Sequence, residues 1–125
     1  MIKTLISGLI GLLLIITASI FEFIFVKNSF SEFNEILTVA YSKIEDETAV
    51  KEDVLTAQDY WLEKKKSLHV FIPHNDIKEI DLWVAEAVTL VENKQFEDAL
   101  SKIEVVIELV EQIPKTFEFR LENVF

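Results

Sequence analysis

The residues best suited to chemistry in this chain are its two histidines, His69 and His74, with Asn75, Asp76 and Asp81 close behind them. Two imidazoles and nearby carboxylates can hold a divalent cation, but their spacing matches no established metal motif. The same stretch reads more simply as a helix start, in which Asn75 or Asp76 accepts free backbone N–H groups and His69 packs beside Val70 and Phe71. A second candidate ligand or partner surface is aromatic: Trp61 and Trp83, with Tyr60, could line a binding face. Aromatic residues at helical spacing otherwise belong to a core. No nucleophile stands with a base, and acidic pairs are scattered without a pocket to single one out. The only glycines, Gly8 and Gly11, lie in an apolar run, so no phosphate-cradling loop exists. Without cysteine, thiolate metal sites, thiol catalysis and disulfides are excluded together. The expectation is a non-enzymatic protein with no cofactor and no metal site.

These residues are carried by a chain of 125, enough for one membrane span and one small domain. No charged residue falls between Thr4 and Phe21, and the apolar run continues to Val26 with Glu22 as its one ionisable group. At about 1.5 Å per residue the run reaches about 34 Å, sufficient for a hydrocarbon core of about 30 Å. A buried globular helix would not need this length. The small residues at Thr17, Ala18 and Ser19 are followed by more apolar sequence rather than by a cleavage site, which favours an uncleaved signal anchor over residues 1–27. Lys3 and the amino terminus on the near side favour a cytoplasmic N-terminus and an extracytoplasmic domain at the cell membrane. Within the span, Ser7, Gly11, Ala18 and Glu22 share one helix face. Such a seam of small residues suits contact with another membrane helix, and its carboxyl would seek a partner or the interface.

Residues 28–125 hold the acid. The chain has 12 Lys+Arg against 22 Asp+Glu, a net charge of −10, and Lys3 and Glu22 cancel before Lys27, so residues 27–125 carry all of it. A domain this negative repels nucleic acid and anionic headgroups, so a protein partner is expected and nucleic acid is not. Apolar residues recur at three- and four-residue steps from Phe30 to Ile44, from Val50 to Trp61, from Ile77 to Val91 and from Phe96 to Val110. The first of these stretches could continue directly from the anchor. Lys64, Lys65 and Lys66 close the second, Pro73 breaks the chain before the third, Asn93 stops it, and Ile113-Pro114 is expected to end the fourth. A weak repeat relates residues 44–55 (IEDETAVKEDVL) to residues 91–100 (VENKQFEDAL), with two extra residues in the first copy. Each copy marks a turn, so two helical hairpins, 28–66 and 75–113, would pack as a four-helix domain. The fold class is all-α: one N-terminal transmembrane helix followed by that acidic domain.

The order of a short anchor, a Tyr/Trp-bearing helix closed by lysines, HNDI at 74–77 and IPKTFEFRLENVF at 113–125 resembles domain of unknown function family 4363 over nearly the whole chain. That resemblance implies a short single-span membrane protein of a spore-forming Gram-positive bacterium. It carries no established activity to transfer. The family's recurring features fall on His74, Asn75 and Asp76 and on Leu121 to Phe125, and a recurring Phe125 suggests that the tail docks. The resemblance further implies an accessory subunit beside a multi-pass membrane protein, although the seam is also compatible with a homo-oligomer. The alternative is an extracytoplasmic sensor or binding domain for a small ligand or divalent cation.

Overall fold

Four helices follow one another: α1 (Ile2–Glu45), α2 (Lys51–Leu68), α3 (His74–Glu92) and α4 (Phe96–Val124). The structure, a computed structural model, describes residues 1–124, and the tail residue Phe125 lies outside the described residues. Among the described residues there is no strand. Anchor and first domain helix are a single element of 44 residues, about 66 Å long. Both glycines lie within it, and no proline interrupts it. Along α1 the apolar character changes from all-round to one-sided. Residues 2–25 bury almost nothing, whereas Val26, Phe30, Phe33, Leu37, Ala40 and Ile44 are all essentially inaccessible. That step of three and four places them on one stripe.

The stripe is covered on two sides, because α1 packs on α2 and α4, and α3 packs on the same two helices. Connections of three to five residues force each helix to run antiparallel to the last. The result is an up-down-up-down ring whose axis holds Trp61, Ile80, Val84, Ile103 and Val106. The two turns at the far end from the anchor are built alike. Glu47 and Lys94 both adopt positive φ, 57° and 60°. Thr48 N–H reaches back to the Lys43 carbonyl (2.9 Å) and Gln95 N–H to that of Leu90 (2.8 Å), each an αL helix cap closed by a bond five residues back. The sequence repeat is thus a repeat of cap geometry. The two extra residues of the first copy postpone α2, which starts four positions after its αL residue where α4 starts two after.

After the first turn, α2 begins with Asp53 reaching back: its carboxylate accepts the Val50 N–H (2.8 Å) and the Lys43 ammonium (2.9 Å). The Lys43 contact, followed by the backbone bond, holds the Asp53 carboxyl below its ordinary value. At the other end of the chain, α4 departs from the expected stop at Pro114. It runs on to Val124 with the proline inside it. Proline removes one N–H and costs a helix interior about 3 kcal/mol, leaving the Val110 carbonyl without its helical donor. The opposing term is burial. Phe117 is 9% exposed and meets the Phe71 ring edge-on at 6.4 Å, while Leu121 packs against the core. Burying two such side chains returns about 1.5–3 kcal/mol each, so continuing the helix is the favoured outcome.

Two measurements check this account. Leu37, fully inaccessible at the centre of the α1 stripe, should cost about 2–5 kcal/mol on replacement by alanine, seen as a lowered thermal midpoint by circular dichroism. Asp53→Asn should destabilise by on the order of 1 kcal/mol near neutral pH. Because the folded-state pKa of Asp53 lies below its unfolded value, that contribution is complete above the ordinary carboxylate range and is lost as pH falls through the folded value. Thermal midpoints of the two proteins should therefore converge in strong acid; a gap independent of pH would refute the charge assignment.

Candidate functional site

The connector 69–73 is a tight turn between α2 and α3. His69 N–H bonds the Lys65 carbonyl (3.0 Å), and Phe71 and Ile72 N–H both bond that of Leu68 (2.9 and 3.0 Å). Leu68 and Ile72 take the inward positions, at 1% and 4% exposure, so His69 and Val70 face outward. His69 is therefore exposed rather than packed as its apolar neighbours suggested. Helix α3 starts earlier than expected. Pro73 is its N-cap, its carbonyl accepting the N–H groups of Asp76 (3.1 Å) and Ile77 (3.3 Å), with no side-chain cap. Asn75 and Asp76 thus lie inside the first turn instead of capping it. Proline suits this place because its extended ψ of 140° opens into a helix and no donor is wasted. His74 and Asn75 are exposed and Asp76 half-buried. Among the described residues no three His, Asp or Glu side chains converge as a metal site.

The aromatic residues divide. Trp61 is 1% exposed, stacked on Phe33 with centroids 5.4 Å apart and tilted against Phe30. Its Nε1–H donates to Asp81 on α3 at 2.6 Å, and Lys65 donates to the other oxygen of the same carboxylate at 2.9 Å. Asp81 therefore locks α2 to α3 at a place where the core would otherwise enclose an unpaired indole N–H. Tyr60 also stacks on Phe33, with centroids 5.8 Å apart, and donates to Glu32 (2.7 Å), with the Ser29 carbonyl at 3.1 Å. Burial, then the Glu32 carboxylate, pushes the phenol above its usual range. Tyr41 similarly joins α1 to α4 through Glu104 (2.8 Å), which raises its phenol as well. Trp83 stands apart from these rings on α3, with the Lys102 ammonium 4.6 Å above its centroid. Trp61 and Trp83 do not form one face.

Concavity lies elsewhere. A cleft of about 470 Å³ separates α1 from the end of α4, lined by Ile16, Ser19, Ile20, Phe23, Glu118 and Leu121. A smaller one, about 340 Å³, opens beside Pro114 and includes Lys27, Ser31 and Asn34, whose buried Oδ1 has no hydrogen-bond partner. Both arise because α4 continues past its proline. The clue was present in the sequence, since Val110, Ile113, Phe117 and Leu121 extend the three- and four-residue step beyond it. The small-residue seam occupies another face of α1. On a wheel of about 100° per residue, Ser7, Gly11, Ala18 and Glu22 sit roughly opposite the α4 side and continue the face that α2 covers higher up, at Phe25 and Ser29. A Cβ built on Gly8 or Gly11 would meet nothing within 4 Å, and Ser7 and Ala18 are exposed, so the chain's other helices leave the seam open.

An antiparallel four-helix bundle whose first helix extends as an exposed apolar rod, long enough to cross a membrane, defines the class of protein. The family model described as Domain of unknown function (DUF4363) matches residues 21–124, and the chain belongs to that family. No curated protein matches the chain, and no solved structure does.

Asp81→Ala should destabilise the bundle by about 1–3 kcal/mol, the cost of leaving the buried Trp61 N–H without an acceptor. Asp81→Asn keeps an oxygen for the indole and should lose less. Thermal midpoints, with near-ultraviolet circular dichroism of the Trp61 band, distinguish the two; equal losses would mean that the charge pair with Lys65, not the indole bond, carries the contact.

Proposed function

We propose that this protein is a non-enzymatic, membrane-anchored interaction protein, an accessory subunit of another membrane or envelope protein. The observation that carries the reading is the distribution of uncovered apolar surface. The bundle closes its own core, and the broad apolar surface left outside it lies on α1 below Val26. Among the described residues His69, His74 and Asp76 form no cluster of three metal-ligating side chains and line neither cleft described above, which disfavours a ligand or cation sensor built on them.

In this reading α1 crosses the cell membrane once, with its N-terminus in the cytoplasm and the acidic bundle outside, following the basic residue and free amino group that precede the span. The seam from Ser7 to Glu22 meets a helix of the partner, and a multi-pass membrane protein supplies such helices. Small side chains let two backbones approach closely enough for dispersion and polar contacts to substitute for a hydrophobic drive that lipid abolishes. A second copy of the chain would use the same face.

Crosslinking in native membranes, capture through a C-terminal tag and mass spectrometry should return one dominant membrane protein in stoichiometric amount. Gly11→Leu should reduce its recovery by on the order of tenfold, the effect of about 1.4 kcal/mol at one contact. Absence of any stoichiometric partner, together with indifference to Gly11→Leu, would sink the proposal.

A further inference from the structure

The continuity of α1 sets the height of the bundle against the span. Lys64 on α2 lies over the Phe25 ring, 5.9 Å from its centroid. Four residues further on, α2 ends at Leu68, about 6 Å closer to the N-terminal end of α1 and so roughly level with Phe21. The connector 69–73 begins there. On the other side, Glu118, Leu121 and Glu122 of α4 share a cleft with Ile16, Ser19, Ile20 and Phe23. Hydrocarbon about 30 Å thick needs about 20 helical residues, and the charge-free run available for it ends at Phe21. The near end of the bundle therefore meets the boundary between acyl chains and headgroups rather than standing clear of it.

We propose that this end, the connector 69–73 with the last turns of α4, is a lipid-contacting surface seated in the phospholipid headgroup layer. The inference rests on the anchor reading. Val70 and Phe119 are 70% and 63% exposed at this end and enter the upper acyl region. Lys66, Lys115 and Arg120 are exposed around them and reach the phosphates, the arrangement of apolar tips and long basic side chains that an interface favours. The strongly negative domain is not uniformly negative. Glu45, Asp46, Glu47, Glu92, Glu97 and Asp98 crowd the two turns at the far end, whereas the near end mixes Lys64, Lys66, Lys115 and Arg120 with Glu63, Glu118 and Glu122. Continuity with the anchor names the bilayer as the occupant.

The chain has no cysteine, so single substitutions Val70→Cys, Phe119→Cys and Val50→Cys each accept one fluorophore in the full-length protein. Val50 is 56% exposed at the far end and serves as the reference. The labelled proteins are reconstituted in vesicles of phosphatidylcholine and phosphatidylglycerol, with and without phospholipid nitroxide-labelled high on the acyl chain. Labels at 70 and 119 should be quenched by the nitroxide lipid and should show several-fold weaker quenching by aqueous iodide than the label at 50. Equal access of iodide to all three would overturn the inference. Shielding from iodide without lipid quenching would also overturn it, because a second copy or another protein would then cover the surface. Alkaline extraction of the same vesicles tests the anchor separately: a chain that is stripped off never spanned the bilayer, whereas a retained chain with an iodide-open Val70 refutes the lipid surface alone.

Discussion

Everything in this structure hangs on α1 being one uninterrupted helix. A helix satisfies its own backbone hydrogen bonds wherever it goes, so a single element can pass from lipid into water without an exposed break at the boundary. What changes along it is the side chains. Below Val26 apolar residues face all directions, and above it they narrow to the stripe of Phe30, Phe33, Leu37, Ala40 and Ile44. The stripe recruits α2 and α4, and those two recruit α3. The same helix thus carries both the apolar rod and the stripe on which the bundle closes, with no joint between them.

Three polar contacts set the register of helices around that rod. Asp81 ties α2 to α3, Tyr41 with Glu104 ties α1 to α4, and Tyr60 with Glu32 and Ser29 ties α1 to α2. Apolar packing alone tolerates sliding, whereas a buried indole N–H that must meet a carboxylate does not. The far turns add a local constraint of their own, since the αL residues Glu47 and Lys94 end both upward helices in the same geometry. Using charged side chains at positive φ costs some stability relative to glycine, and both glycines of the chain lie elsewhere, in α1.

A closed core and an open anchor divide the labour of the molecule. Chemistry needs converging polar groups in a concavity; of the two clefts between α1 and α4 the larger is mostly apolar, and the smaller mixes Lys27, Glu111, Lys115 and Glu118 with apolar walls. The polar groups are instead spent in pairs that hold helices together. Recognition by surfaces is what this arrangement favours, with the seam of α1 left uncovered by the chain's other helices and the bundle presenting a strongly acidic far end.

Much of this was legible from the amino-acid sequence, because it depends on local spacing: the apolar span, four amphipathic helices, the break at Pro73, and the kinship of the turns at 44–55 and 91–100. The family was legible too, through HNDI and the closing segment. Local rules misplaced the end of α4, because the helical penalty of Pro114 is intrinsic to the residue while the burial of Phe117 and Leu121 exists only against α1 and the connector. They likewise packed His69, whose neighbours Leu68 and Ile72 take the inward places, and put an N-cap on Asn75 or Asp76 where the Pro73 carbonyl already serves. That Trp61 belongs with Asp81, and that the connector lies about level with Phe21 of α1, are facts of distance between residues remote in sequence. Sequence by itself determined which segments are helices and which faces are apolar, since these follow from each residue's own preferences and its near neighbours. Tertiary structure alone decided which faces meet, how far α4 runs and what remains uncovered, since these are settled by burial summed over the whole fold.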